Sequence, residues 1–122
     1  MLTIAEAPSF AQARPSKSGT KNKIVTLVSS IEGTTWAGKD SDGDLYEYIF
    51  LKGGQLRYST NTERSEMVTF EDKENVWAQN GNLVVILIQN YSVNVGTIEK
   101  DRIKGLAWNV TGRRWTWEAK KK

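Results

Sequence analysis

The sequence predicts an all-β domain, and three observations carry that prediction. From Thr34 onward the apolar residues recur with a period of two rather than 3.6. The runs "DLYEYIFL", "QLRYST", "NLVVILIQ", "SVNVGTI", "RIKGLAWN" and "RRWTWEA" are short and rich in aromatic or β-branched residues. Turn residues interrupt them about every ten positions. Four tripeptides ending in glycine do so most plainly: Ser41-Asp42-Gly43, Lys52-Gly53-Gly54, Gln79-Asn80-Gly81 and Val110-Thr111-Gly112.

Taken in order, residues 1–23 read as a flexible basic tail. They hold Pro8, Pro15 and a net charge of +3, without the basic start and apolar stretch of a secretory signal. The domain proper spans 24–119, and Lys120–Lys122 form a short basic C-terminal tail. "KIVTLVSSIEG" is the one helical piece expected, a turn or two ended by Gly33. Eight strands then follow, at 34–40, 44–51, 55–60, 67–79 (broken at Glu71–Glu74), 82–89, 92–98, 102–109 and 113–119.

The glycine tripeptides fix register. A three-residue hairpin loop is a type I turn followed by a left-handed residue, the position that glycine takes without steric penalty. With Ser41–Gly43 as loop, Asp40 faces Asp44, Gly38 faces Tyr46 and Trp36 faces Tyr48. With Lys52–Gly54 as loop, Phe50 faces Leu56 and Tyr48 faces Tyr58. In the last hairpin Ala107 faces Trp115 and Gly105 faces Trp117, small residues against indoles. A two-residue loop would slip the register and turn those rings outward. At "QNG" the two readings, a three-residue loop or a two-residue Asn-Gly turn, stay open, and they decide whether Trp77 or Val76 points inward.

The same logic disposes of a metal reading of Asp40, Asp42 and Asp44. An EF-hand loop places glycine sixth and a glutamate twelfth. Counted from Asp40, glycine is fourth and the twelfth residue is Leu51. The aspartates turn the chain, and neither a metal nor a cofactor is expected.

Composition narrows the function classes further. Cysteine and histidine are both absent, which removes disulfides, thiol nucleophiles and every triad built on an imidazole. No apolar run reaches the ~20 residues of a spanning helix, and the protein is expected to be cytoplasmic and non-enzymatic. The overall charge of +3 comes from the two ends, because residues 24–119 sum to −3. Trp108 with Arg102, Lys104, Arg113 and Arg114 nearby is the one patch suited to stacking on nucleic acid. An oligomer contact, or cover by the N-terminal segment, explains it better, and nucleic acid is not the expected partner.

Eight antiparallel hairpin-linked strands suit an up-and-down barrel, whose closure removes exposed edges. "EGTTW" followed by a meander that closes on "GLAWNVTGRRWTW" resembles small bacterial proteins of lipocalin- and avidin-like (calycin-type) fold. The resemblance covers about residues 31–119. It implies an eight-stranded barrel and, as its members variously do, binding of small apolar molecules or inhibition of proteases. No biotin-contact set maps onto this chain.

Two functions follow as expectations. The inward set Trp36, Tyr46, Tyr48, Tyr58, Trp115 and Trp117 forms either an aromatic-lined pocket for a small hydrophobic or aromatic ligand, or a filled core. Strand 82–89 is apolar on both faces, with Val84, Ile86 and Ile88 alternating with Leu83, Val85 and Leu87. Something must cover its outer face, either the Ile24–Ile31 segment or a second subunit. The alternative function is therefore an oligomeric, inhibitor-like interaction module that uses Leu83, Val85, Leu87 and Trp108.

Overall fold

Alternation along each strand sends every second side chain to one face, and here that face is crowded with rings. The structure, a computed structural model, describes residues 28–71 and 73–122. The expected basic tail at 1–23 and the first part of the expected helical piece lie outside the described residues. The strands are β1 (Thr35–Asp40), β2 (Leu45–Phe50), β3 (Leu56–Thr60), β4 (Val68–Phe70), β5 (Val76–Asn80), β6 (Leu83–Ile88), β7 (Ser92–Glu99), β8 (Arg102–Asn109) and β9 (Arg114–Lys121). They form one antiparallel up-and-down sheet in the order β4-β3-β2-β1-β9-β8-β7-β6-β5. The sheet curls into a half-barrel, with its inner face on the core.

The register follows the hairpin loops. Trp36 pairs with Tyr48 and Gly38 with Tyr46 across β1 and β2. Tyr48 pairs with Tyr58 and Phe50 with Leu56 across β2 and β3. Gly105 pairs with Trp117 and Ala107 with Trp115 across β8 and β9. All three pairings are those that three-residue loops dictate. Gly43 and Gly112 take left-handed φ of 91° and 87°, as the third loop residue must.

The curl brings distant parts of the sheet together at one point. Gln55 bridges Val76, and the Leu56 N–H donates to the Asn75 carbonyl at 2.9 Å. Just beside this bridge the Trp77 indole donates to the Leu51 carbonyl at 2.9 Å, and its ring meets Phe50 edge-on at 5.3 Å. β4 pairs with β3 alone, so its other flank carries no strand among the described residues. The lower rim, where the 51–55 and 81–82 turns lie, is thus tied together. The upper rim, with the turns at 41–43, 89–91 and 110–112, is more open.

Below that opening the core is solid. Trp36, Tyr48, Phe50, Val84, Ile86, Ile103 and Trp117 are all buried. Trp117 lies flat against the glycines of β7 and β8. A Cβ at Gly105 would sit 2.3 Å from the Val95 carbonyl oxygen and 2.7 Å from the indole, and one at Gly96 would sit 3.0 Å from the indole. Only glycine at both positions lets the ring lie against the strands and lets its N–H reach the Leu106 carbonyl at 3.1 Å.

Four expectations need correction. Nine strands replace eight, because β4 ends at Phe70 and β5 begins at Val76, so the break expected at Glu71–Glu74 separates two strands. No helix forms over residues 28–33; the chain there runs irregularly to a turn at Glu32–Gly33. The Gln79 side chain binds this stretch on both sides, accepting from the Ile31 N–H and donating to the Ser29 carbonyl. The short helical turn is instead a 3-10 turn at Lys52–Gly54. The "QNG" loop is neither version considered. Asn80 pairs with Leu83, which leaves Gly81 and Asn82 as a two-residue turn, with Gly81 at φ 61° in the first central position, as in a type II′ hairpin. This turns Trp77 inward, opposite Ile86.

Lys120 and Lys121 also belong to β9 rather than to a tail, pairing with Ala37 and Trp36 of β1. The Lys122 N–H donates to the Thr35 carbonyl at 2.9 Å. Lys120 lies on the outward face opposite Ala37, and both lysines keep their heads in water. No helix among the described residues is long and apolar enough to cross a membrane.

The seat of Trp117 gives a direct prediction. Gly105→Ala forces the indole and the β7 backbone apart and should cost about 1–3 kcal/mol in urea unfolding. Trp117→Ala leaves a cavity and should cost ~3–5 kcal/mol. Unchanged stability in either variant would contradict the packing described.

Candidate functional site

The recess at the upper rim begins with two hairpin ends that fold by the same rule. In each, an Asp or Asn immediately before the loop caps it, and glycine ends it. Asp40 Oδ1 accepts the N–H groups of Asp42 at 2.9 Å and Asp44 at 3.0 Å. Asn109 Oδ1 accepts those of Thr111 at 3.0 Å and Arg113 at 3.1 Å. The acidic cluster is therefore turn chemistry, and Asp42 also pairs with the Arg113 guanidinium. Among the described residues no group of three or more acidic side chains is gathered as a metal site.

Asp40 differs from Asn109 in pointing its second oxygen inward. Its Oδ2 accepts the Tyr46 hydroxyl, so a buried carboxylate is held by two backbone amides and one phenol. Tyr46 then starts a row of rings. It stacks on Tyr58 at 5.9 Å, and Tyr58 stacks on Phe70 at 5.9 Å. The Asn61–Arg64 turn, closed by the Arg64 N–H on the Asn61 carbonyl at 2.8 Å, brings the Arg64 guanidinium over Phe70 at 5.5 Å. Facing this row, Trp115 carries the Arg113 guanidinium at 5.8 Å from its ring.

Between these walls lies a recess of about 330 Å³. Tyr46, Tyr58 and Phe70 line one side, Trp115 and Arg113 the other. Ile88, Gln89, Tyr91, Ser92 and Asn109 supply the third, mixed wall. Shallower and larger depressions of about 730 and 650 Å³ lie on the outer face, beside Lys104 and Glu118 and beside Trp108.

Six inward aromatics were expected to act together, and the structure divides them. Tyr46, Tyr58 and Trp115 line the recess. Trp36, Tyr48 and Trp117 lie beneath it, buried in the core. Tyr48 links the two groups, stacking on Tyr46 at 6.0 Å and meeting Trp117 at 5.7 Å. Phe70, Arg64, Tyr91, Asn109 and Arg113 complete the recess and were not foreseen in that role. Arg64, Tyr91, Asn109 and Arg113 each lie in or beside a turn, and Phe70 ends β4 opposite Tyr58. Of the outer set, Leu83, Val85, Leu87 and Trp108 are exposed, 37–48 % each.

Burial keeps the phenols protonated. Burial is the main force raising the Tyr46 phenol well above the ordinary tyrosine range, and the neighbouring Asp40 carboxylate adds to it. Burial likewise raises Tyr48. Tyr58 is pushed up to about 12, chiefly by burial, against an opposing hydrogen bond with Thr60. At neutral pH these groups are hydrogen-bonding handles on apolar rings, without basic character.

Comparison of this chain with protein-family models, with curated proteins and with solved structures gives no match.

The raised phenols set an alkaline limit. A tyrosine whose folded pKa exceeds its unfolded value of 10.0 contributes stability fully below pH 10 and loses it as pH climbs. Stability should therefore fall from about pH 10 towards the Tyr58 value of about 12. Phenolate absorbance of Tyr46, Tyr48 and Tyr58 should appear together with unfolding. Their ionisation at pH 10 in protein that stays folded would contradict the burial assigned to them.

Proposed function

We propose that this protein is a non-enzymatic binding protein that takes a small, planar aromatic molecule into the recess at its upper rim. The observation that carries this reading is the contrast within one core: rings packed solid below, and a walled space of about 330 Å³ above them. That volume lies at the low end of the range for small-molecule pockets, which suits a ligand of one or two rings. Its faces would stack on Tyr58 and Trp115, a geometry worth ~0.5–1.5 kcal/mol per ring pair beyond area burial. Its polar edge would meet the Tyr46 hydroxyl, Ser92 and Asn109.

The charges around the recess favour a ligand without strong net charge. Arg64 and Arg113 stand against Asp40, Asp44 and Glu63, so neither sign dominates. The phenols, protonated at neutral pH, supply hydrogen bonds and no general base. A binding role fits this chemistry better than a catalytic one.

The proposal extends to the fold type. If β4 and β5 are taken as two halves of one interrupted strand along β3, the meander has eight members and closes through Gln55 and Val76. That is the form of a lipocalin- or avidin-like barrel, entered at the upper rim or beside the free flank of β4. The site would then comprise Tyr46, Tyr58 and Trp115 of the expected set, with Phe70 and Arg113 added.

Native mass spectrometry of protein purified from its own host tests the reading, with titration of a panel of one- and two-ring aromatics by calorimetry. The expected result is a bound small mass or a panel compound that binds. Tyr58→Ala should weaken that binding at least tenfold, about 1.4 kcal/mol. Absence of both the mass and any panel binding would overturn the reading.

A further inference from the structure

The outer face of β6, β7 and β8 breaks the rule that an antiparallel sheet keeps polar residues on its free side. Leu87 pairs with Val93, and Val93 with Trp108. Val85 pairs with Val95, and Val95 with Leu106. Six apolar side chains therefore form a two-by-three block with no charge inside it. Leu106 and Trp108 remain 61 % and 42 % exposed. The block exposes apolar surface on the order of 500 Å², at the upper end for a monomer's largest patch. That is more than half of the ~800 Å² each partner buries in a standard interface.

We infer that this face is the interface of a homodimer, packed sheet against sheet by a second copy of the chain. The relief of the face indicates a copy rather than an unrelated partner. Trp108 stands between two depressions and lines both. One, of about 650 Å³, lies toward Arg114 and Thr116. The other, of about 390 Å³, lies toward Leu87, Tyr91 and Val93. A ridge beside its own groove is what a two-fold contact requires, since each subunit must offer the same patch in both roles. Trp108 of one subunit enters a groove of its partner and receives the partner's indole in return. Antiparallel sheets stack face to face at about 10 Å separation.

The apolar block and the recess lie on opposite faces of the sheet, with Tyr91, Ser92 and Asn109 at the rim bordering both the recess and the smaller depression; sedimentation reads the first and ligand titration the second.

Sedimentation equilibrium of the full chain across micromolar concentrations tests the interface, with Leu106→Glu and Val85→Lys as variants. Both positions are exposed, so thermal melting should show each variant folded. The expected result is twice the 13.7 kDa chain mass for the unaltered protein, and association weakened at least a hundredfold, toward monomer, by Leu106→Glu. A monomer mass throughout would overturn the inference, whichever other occupant the face has. So would a dimer that both variants leave intact.

Discussion

The fit of one indole onto two glycines governs the rest of this molecule. Trp117 occupies the space that side chains at Gly96 and Gly105 would take, so β7, β8 and β9 can curl around a large ring with little void. The ring reaches across to Tyr48 at 5.7 Å and thereby joins the β1–β3 half of the sheet to the β6–β8 half. Trp115, two residues earlier on the same face, is carried to the upper rim by the same geometry. Large against small is the ordinary economy of a packed core. Here it also decides where packing stops.

Where it stops, the chain has a different task. The upper rim is built from turns, and turns need polar caps. Asp40 and Asn109 supply them, and Asp40 has one oxygen left for Tyr46. A carboxylate placed to cap a loop thus orients the first ring of the aromatic row. The recess owes its mixture of ring faces and hydrogen-bonding groups to this meeting of core and turn.

Much of this was legible in the sequence because hairpin register is local. A glycine ending a three-residue loop at 43, 54 or 112 fixes which residues pair, and period two then fixes which face each ring takes. Trp36, Tyr46, Tyr48, Tyr58, Trp115 and Trp117 do share the inner face. Depth along the curled sheet was not legible. It depends on β9 pairing with β1 across the whole chain, which no local pattern records, so core rings and recess rings looked alike. The Gly81–Asn82 turn was missed because "QNGN" offers several registers of similar quality. The turn after β6 was also obscure: Gln89 and Asn90 adopt φ of 51° and 54° without glycine. Gln89 is held from outside the turn, its N–H bound at 3.0 Å by Oδ1 of the buried Asn75.

The tryptophans report on this account at once. The indole N–H groups of Trp36, Trp77 and Trp117 donate to Thr34 Oγ1 at 2.7 Å, to the Leu51 carbonyl at 2.9 Å and to the Leu106 carbonyl at 3.1 Å. Nuclear magnetic resonance can follow each indole proton as it exchanges with solvent deuterium. Slow exchange at Trp36, Trp77 and Trp117, with faster exchange at the part-buried Trp115, is the result the packing predicts. An indole at Trp117 that exchanges as quickly as that of Trp115 would contradict it.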